Sequence, residues 1–379
     1  MSSTILSMAF NAIPKVFTVI LSLVFSAVTC IHLLIEWFKH RDSFFTVKEH
    51  PKPKVLDGWI HETVRLSNFF TSQEVNLHYV EAGDMDHPLM LMIHGFPEFW
   101  YSWRYQIRYF EKNFQYVIFC FFICINADVA YLSMSFFFAV CSVVAIDMRG
   151  YNESDKPEGI EHYRKSVLAK DIKELISALN HEQAILVAHD WGGAVAWQVA
   201  AEYPEVVAKL VVLNCPHPAA FRQLLHSNFR QLMKSWYMFM FQMPSLPEFL
   251  YKSNDYQKLK DIFRSEKTGI KRKENFTDED EDAWLFSFSK PNAFTGPINY
   301  YRASFKLQEA QPSSALIKPN TLIIWGTGDA FLEKRGADIS PQYCEKAQVK
   351  FIEGASHWVQ QDEPNLVNAY IDKFVMETQ

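Results

Sequence analysis

The sequence predicts an α/β fold: a mostly parallel sheet flanked by helices, with a helical cap inserted over the sheet and one apolar helix at the N-terminus. Short, continuous apolar runs alternate with helical patterns, which indicates parallel strands covered on both faces. This alternation stops between residues 217 and 312, where helical segments rich in Met, Phe and Tyr predict the cap. A long uncharged segment near the start predicts the N-terminal helix.

The uncharged segment runs from Val16 to Ile35, and its 20 residues suffice for a helix to cross the roughly 30 Å hydrocarbon layer of a membrane. A signal peptide has a shorter apolar core, whereas this segment ends in aromatic and basic residues, Trp37 to Arg41. More basic residues follow the segment than precede it, which favours a cytoplasmic position for the rest of the chain. We expect residues 1–58 to form a single-pass membrane anchor, with its helix at about 16–38, and a linker.

Charge and cysteine content narrow the class of protein. A net charge of −6 and a pI near 6.1 offer no basic surface, so no nucleic-acid partner is expected. The six cysteines lie in apolar contexts without the spacing of metal ligands. We therefore expect neither a bound metal nor a disulfide framework, and the sequence leaves the oligomeric state undetermined.

The chain beyond the anchor is expected to form a sheet domain, residues 59–216 and 313–379, interrupted by the cap at 217–312. Two strands, HETVRL and NLHYVEAG, predict an antiparallel start. Five buried strands follow (LMLMIHGF, VVAIDMRGY, AILVAHDW, KLVVLNC and TLIIWGTGD), with candidate helices at 166–179 and 194–203. Parallel sheets carry their chemistry at the carboxyl ends of the strands. The residues there are His94, Asp147, Asp190, Asn214 and Asp329.

Asp190 lies in the stretch LVAHDWGGAVAW, which has the pattern of a buried strand, a sharp turn and a helix. An aspartate in such a turn often only caps the helix. The small residues around it instead predict a nucleophile elbow, the turn in which many hydrolases place their nucleophile. A carboxylate held ionised at a helix N-terminus is a competent nucleophile toward an alkyl carbon and forms an ester. We favour the nucleophile interpretation.

Several motifs occur together and in order: HGFPEFWYSWR, DMRGYNESDKP, HDWGG, NYYR, WGTGDAF and SHWVQQDEP. With them, the chain from about Trp59 to the end, excluding Tyr116 to Ser142, resembles the epoxide hydrolase branch of the α/β-hydrolase family, and in particular its membrane-anchored animal members. The resemblance implies the α/β-hydrolase fold, an apolar epoxide and water as substrates, a lipid epoxide among them, and a vicinal diol as product. It implies no cofactor, and it places the protein in the membrane of the endoplasmic reticulum.

The resemblance also assigns a catalytic triad. The family order of nucleophile, acid and histidine matches Asp190, Asp329 and His357. Histidine takes a proton from water near neutral pH, and Asp329 would orient its ring. The alternatives are a Gly-Asp turn for Asp329 and an interior histidine beside Trp358 for His357.

The resemblance assigns the backbone N–H groups of Phe96 and Trp191 to an oxyanion hole for the Asp190 carboxyl oxygen. Opening an epoxide also needs an acid, and tyrosine O–H groups suit this role. The family match selects Tyr301 in NYYR and Tyr237 in WYMFMFQMP. For Tyr237, which lies in a run of aromatic residues, core packing is the alternative.

The segment Tyr116 to Ser142 departs from the family pattern. Of its 27 residues 22 are hydrophobic, and Asp128 carries its only charge. It separates a helix from a strand that an ordinary connection of about 2–6 residues would join. A single membrane crossing here would divide one sheet between the two sides of the bilayer. We favour an in-frame retained intron or gene-model error over a membrane-dipping insertion.

Two alternative functions stay open at this point. A haloalkane or haloacid dehalogenase uses the same Asp–His–Asp set, and Trp191 beside the nucleophile would suit a halide. The paired cap tyrosines and the membrane anchor favour the epoxide hydrolase instead. The second alternative is a catalytically inactive isoform that acts as a lipid-binding or scaffold protein, because the segment 116–142 would disturb the sheet.

Overall fold

An eight-stranded sheet forms the centre of the protein, which is described by a computed structural model over residues 2–67, 74–84, 87–113, 118–126, 129–137, 142–307 and 316–377. The order is β1-β2-β6-β3-β7-β8-β9-β10. Strands β1 and β2 are antiparallel to their neighbours and the remainder pair in parallel, so the predicted mostly parallel sheet is confirmed. The strands are β1 Ile60–Ser67, β2 Glu74–Ala82, β3 Leu89–Ile93, β6 Ser142–Ile146, β7 Ala184–His189, β8 Val207–Leu213, β9 Thr321–Gly326 and β10 Ala347–Ile352.

Helices cover the central strands on both faces, since every residue of β3, β6, β7 and β9 is buried. Helices α3 and α4 pack together, with α4 against β7 and β8, while α2 and α13 form a second pair that reaches β6 and β9. This arrangement explains why the strands read as continuous apolar runs. The flanking helices are α2 Arg104–Asn113, α3 Lys165–Ala178, α4 Trp191–Glu202, α11 Arg335–Ile339, α12 Val359–Asp362 and α13 Pro364–Met376.

The expected cap contains six helices between β8 and β9 within the described residues: α5 Pro218–Ser227, α6 Phe229–Lys234, α7 Trp236–Met240, α8 Leu246–Arg264, α9 Asp278–Ser289 and α10 Thr295–Lys306. Helix α8 is interrupted at 253–256, where Asn254, Asp255 and Tyr256 have positive φ angles. Helix α9 begins with four acidic residues, 278–281, and with a capping box between Thr277 and Asp280. The expected end of the cap, at 312, lies outside the described residues.

The apolar segment Tyr116–Ser142 contains two strands, β4 Ile118–Asn126 and β5 Val129–Phe137, which pair antiparallel with each other. They form a separate two-stranded sheet and are not part of the eight-stranded one. The last residue of the expected segment, Ser142, is the first of β6 and pairs with Leu89. Residues 116, 117, 127, 128 and 138–141 lie outside the described residues.

The N-terminal helix α1 extends over Ser2–His40. Its part Val16–His40, with a mean hydropathy of 2.3, is the one helix among the described residues that is long and apolar enough to cross a membrane. Between α1 and β1 the chain forms one short 3-10 helix, Lys54–Leu56, and the linker expected from the sequence lies in this stretch.

Candidate active site

Asp190 occupies a tight turn between β7 and α4, with φ 49° and ψ −117°. Few non-glycine residues adopt this backbone conformation, and it occurs where surrounding packing enforces it. A Cβ atom at Gly192 would collide with the backbone carbonyl of Ile93, so glycine lets the start of α4 approach β3 closely. The Asp190 side chain does not cap α4, and 14% of its surface is exposed. The carboxylate is therefore free for another role.

His357 lies between two carboxylates. Its Nδ1 is 2.7 Å from Asp329 Oδ2, and its Nε2 is 3.4 Å from Asp190 Oδ2. Because an ionised Asp329 only accepts hydrogen bonds, Nδ1 carries a proton and Nε2 faces Asp190. The structure thus brings the three expected triad residues together, with His357 between Asp190 and Asp329.

Asp329 is held by donors on both of its oxygens. Asn214 Nδ2 donates to Oδ2 at 2.7 Å, and the amides of Phe331 and Leu332 donate to Oδ1 at 2.7 and 2.9 Å. These bonds and the charge of His357 outweigh burial and lower the pKa of Asp329. Asn214 had been identified only as a strand-end residue, and its contact with Asp329 gives it a function in orienting the acid.

The charges of the site keep Asp190 ionised. Burial raises the pKa of Asp190, but the hydrogen bond and charge of His357 and the Phe96 amide lower it further, below its ordinary value. Burial likewise lowers the pKa of His357, but Asp329 and Asp190 outweigh that effect and raise it to about 10. At neutral pH the site therefore holds an Asp190 carboxylate against a His357 imidazolium.

The loop after β3 supplies an amide to Asp190. The N–H of Phe96 donates to Asp190 Oδ1 at 3.0 Å, and a Cβ at Gly95 would collide with the Asp190 side chain. The Trp191 amide lies in the first turn of α4, where backbone N–H groups have no acceptor within the helix. His94 orients this loop, because its ring contacts Gly95 O and accepts a hydrogen bond from the Met148 amide.

A cavity of about 1230 Å³ lies between the cap and the carboxyl ends of the strands, and Asp190, His357, Tyr237 and Tyr301 line it. The rings of Tyr237 and Tyr301 are 5.8 Å apart, centre to centre. Burial raises the pKa of both hydroxyls well above the ordinary value of tyrosine. Both therefore remain protonated at neutral pH, and both can donate a hydrogen bond to a group bound beside Asp190.

The two consecutive tyrosines of NYYR have different surroundings. Tyr301 lines the cavity and packs its ring 4.9 Å from that of Trp191. Tyr300 is fully buried, and its hydroxyl donates to the carbonyl oxygen of Arg149 at 2.7 Å. The structure thus separates a cavity residue from a core residue within one motif.

Glu98, which sequence analysis did not single out, lies fully buried beneath the site. Its oxygens contact the amide of Gly95 at 3.1 Å, His189 Nδ1 at 2.6 Å and the side-chain amides of Gln360 and Gln361 at 2.9 and 3.0 Å. His189 Nε2 is 2.8 Å from the carbonyl oxygen of His357. The His189 ring thus lies between the Glu98 carboxylate and the His357 carbonyl oxygen, within hydrogen-bond distance of both. This network joins the oxyanion loop, the elbow and the His357 loop.

Replacing Glu98 by glutamine is expected to lower the free energy of unfolding by about 1–3 kcal/mol, because a neutral amide replaces the buried carboxylate that accepts from the N–H groups of Gly95, Gln360 and Gln361. Glutamine also adds an N–H group that faces other donors. Urea denaturation of the two proteins, followed by tryptophan fluorescence, measures the difference. The exposed Glu353→Gln is the matched control and should change stability by less than about 0.5 kcal/mol. A Glu98→Gln protein as stable as the wild type would refute the structural role of the Glu98 carboxylate.

Comparisons with known proteins agree with this geometry. The family described as alpha/beta hydrolase fold matches residues 88–364. "Epoxide hydrolase 2" from Caenorhabditis elegans is 40% identical over 342 residues, which is 90% of this chain and 87% of that protein. "Epoxide hydrolase 4" from Homo sapiens is 38% identical over 334 residues, 87% of this chain and 83% of that protein.

Solved structures of epoxide hydrolases are also similar to this chain. A mutant epoxide hydrolase from Bacillus megaterium, crystallised with its naphthyloxy-propanediol product, superposes with a TM-score of 0.69 at 27% identity, covering 83% of this chain and 100% of that one. An epoxide hydrolase from Vigna radiata superposes with a TM-score of 0.65 at 27% identity, covering 84% of this chain and 98% of that one.

Proposed function

The chain belongs to the α/β-hydrolase family and, within it, to the epoxide hydrolases; we propose that it converts apolar epoxides into vicinal diols through a covalent ester on Asp190. One observation carries this proposal. The two oxygens of Asp190 are differentiated: Oδ1 accepts from the Phe96 amide, while Oδ2 lies 3.4 Å from His357 Nε2. A carboxylate held in this way has one oxygen for attack and one oxygen in a site that stabilises negative charge.

In the first step, Asp190 Oδ2 attacks an epoxide carbon, a C–Oδ2 bond forms and the ring C–O bond breaks. Tyr237 and Tyr301 donate hydrogen bonds to the epoxide oxygen, and one of them gives it a proton as the bond breaks. The resulting tyrosinate recovers a proton from the His357 imidazolium. This step leaves a hydroxyalkyl ester, two neutral tyrosines and a neutral His357.

Formation of the ester prepares the second step. It removes the negative charge of Asp190, one of the two charges that raise the pKa of His357. The pKa of His357 therefore falls, and the neutral ring takes a proton from water, which attacks the ester carbonyl carbon. The N–H groups of Phe96 and Trp191 stabilise the negative charge that develops on Oδ1. The bond between the ester carbonyl carbon and Oδ2 breaks, and the leaving alkoxide takes a proton from the His357 imidazolium to give the diol. The new Asp190 carboxyl group, which retains one oxygen from water, then gives its proton to His357 and restores the starting state.

The proposal extends to substrate class and location. Many aromatic and aliphatic side chains line the cavity, and this lining supports an apolar substrate, with lipid epoxides among the candidates. We assign residues 59–216 and 313–379 to the catalytic core and 217–312 to the cap. The apolar part of α1 and the basic residues after it support a single-pass membrane protein whose catalytic domain faces the cytoplasm. Its proposed location in the endoplasmic reticulum rests on the resemblance to membrane-anchored epoxide hydrolases.

The test is turnover of an aryl glycidyl ether to its diol by the full chain and by the chain lacking residues 116–141, which keeps Ser142 in β6. We expect the shortened chain to form the diol. Activity of that form alone would identify the full chain as an inactive isoform, and activity of both would show that β4 and β5 are tolerated. Release of halide from a chloroalkane without diol formation would indicate a dehalogenase. Two folded but inactive proteins would favour the scaffold alternative.

A further inference from the structure

Arg302, the last residue of the NYYR motif, follows the cavity residue Tyr301 in α10 and has no part in the mechanism above. The residue is 8% exposed, so its charge lies inside the cap. Its guanidinium pairs with Glu248 in the first turn of α8, where Nη1 lies 2.7 Å from Oε1 and Nη2 lies 3.1 Å from Oε2. Nη1 also donates to Asn299 Oδ1 at 3.2 Å. Two parallel bonds to one carboxylate fix the orientation of the guanidinium.

The same guanidinium binds the chain between α7 and α8. Its Nε donates to Phe241 O at 3.0 Å, and its Nη2 donates to Met243 O at 2.7 Å. These carbonyl groups lie just beyond the C-terminal end of α7, where a helix leaves carbonyl oxygens without partners of its own. Helix α7 carries Tyr237, and α10 carries Tyr301. Arg302 therefore joins the two helices that bring the tyrosines to the cavity.

Only a few contacts separate Arg302 from both tyrosine rings. The Phe241 amide donates to Tyr237 O at 2.8 Å, while the Phe241 carbonyl accepts from Arg302. The Phe241 ring lies 5.6 Å from that of Tyr237 and 4.9 Å from that of Tyr301, centre to centre. Gln242 Nε2 adds a hydrogen bond of 3.3 Å to Tyr301 O. A displacement of the guanidinium would thus change the position of one tyrosine relative to the other.

We propose that Arg302 is a positioning residue for ring opening, which sets the separation of the Tyr237 and Tyr301 hydroxyls so that both reach one epoxide oxygen. This role rests on the proposed function, in which both hydroxyls donate to that oxygen. Two hydroxyls share one acceptor only when each lies about 2.5–3.0 Å from it. The planar guanidinium suits the task, because it meets a carboxylate and two carbonyls in one fixed geometry that a lysine ammonium on its flexible stem does not reproduce.

The rate of epoxide loss in a single turnover tests this role, with protein in excess over an aryl glycidyl ether and with the form of the chain that produces diol. Arg302→Lys keeps the charge and loses the planar group. It should slow epoxide loss about tenfold, since small displacements of reacting groups have effects of this size or larger. An unchanged rate in Arg302→Lys, beside normal epoxide loss in the wild type, would refute the role of Arg302 alone. Absence of epoxide loss in the wild type would overturn the proposed function and this role with it.

Arg264→Lys is the matched control. Arg264 also binds a carboxylate and a carbonyl of the cap, since its Nε donates to Glu281 Oε2 at 3.0 Å and its Nη2 donates to Thr277 O at 2.9 Å. These bonds join α8 to α9 and involve neither tyrosine helix. The control should consume epoxide at the wild-type rate. Equal slowing in the two variants would show a general effect of cap packing and would contradict the proposal.

A second comparison separates positioning of the hydroxyls from other effects of Arg302. In the Tyr237→Phe/Tyr301→Phe protein no hydroxyl remains to be aligned, so adding Arg302→Lys should change the rate of epoxide loss by less than about twofold. A tenfold further loss in that background would overturn the positioning role. Glu248→Gln tests the same ion pair from its other side and should slow epoxide loss only when the tyrosines are present. It decides the question if Arg302→Lys does not fold.

Discussion

Replacing His357 by glutamine is expected to lower steady-state epoxide turnover by about 10³-fold and to trap the ester on Asp190. A general base contributes about 10²–10⁴-fold to a rate, and His357 is the group that activates water in the second step. Attack on the epoxide needs the Asp190 carboxylate and the tyrosines, so it continues, and in this variant the tyrosinate recovers its proton from water in place of His357. Intact-protein mass spectrometry after mixing with excess epoxide should therefore show a mass increase of one epoxide per chain.

The exposed His226→Gln, on α5, is the matched control and should turn over epoxide like the wild type, without a trapped adduct. Proteolytic peptides would place the adduct, and we expect it on the peptide that contains Asp190. Lost turnover together with an unmodified protein would contradict the assignment of His357 to the second step. So would a His357→Gln protein with wild-type turnover.

Replacing both Tyr237 and Tyr301 by phenylalanine is expected to lower the rate of ester formation by at least about 10²-fold. Without an acid, the epoxide oxygen must carry a full negative charge as the ring opens. Either single variant should lose less, since the second hydroxyl remains beside the epoxide oxygen. The rate is measured by single-turnover quench of protein in excess over epoxide. The prediction concerns ring opening and not hydrolysis of the ester, so no adduct should accumulate.

Tyr300→Phe is the matched control for the tyrosine pair, because Tyr300 is the adjacent residue and its hydroxyl donates to Arg149 O. It should cost about 1 kcal/mol of stability through the lost hydrogen bond and leave the rate of ester formation unchanged. If the double Tyr237 and Tyr301 variant reacted at the wild-type rate, another donor would protonate the oxygen, and the tyrosine assignment would be wrong.

The elbow was predictable from the sequence because its signal is local, whereas Asp329 and His357 are assigned by the family order of the triad. A buried strand, Asp190 and two glycines specify a turn with close packing, and the turn is observed. Asp329 and His357 follow other strands at the same edge of the sheet, where parallel strands bring their ends together. The candidate helix at 194–203 begins earlier, at Trp191, because the turn at Asp190 leads directly into α4.

The Glu98 network was not predictable, since its members lie on separate segments that only the folded sheet brings together. Glu98, His189 and Gln360 are far apart in sequence, and a buried carboxylate gives no periodic signal. The packing of α1 on the cap was also missed. The apolar pattern of residues 16–35 fits a membrane anchor, and the sequence does not indicate that α7 of the cap contacts this helix.

Single turnover in heavy-oxygen water, with protein in excess over epoxide, tests the central claim most directly. The claim is that water attacks the ester carbonyl carbon of Asp190, so one heavy oxygen should be found in the Asp190 carboxylate after the turnover. The diol of this first turnover should carry ordinary oxygen only. Heavy oxygen in the diol and none in the peptide containing Asp190 would show that water attacks the epoxide itself, which would contradict the covalent mechanism.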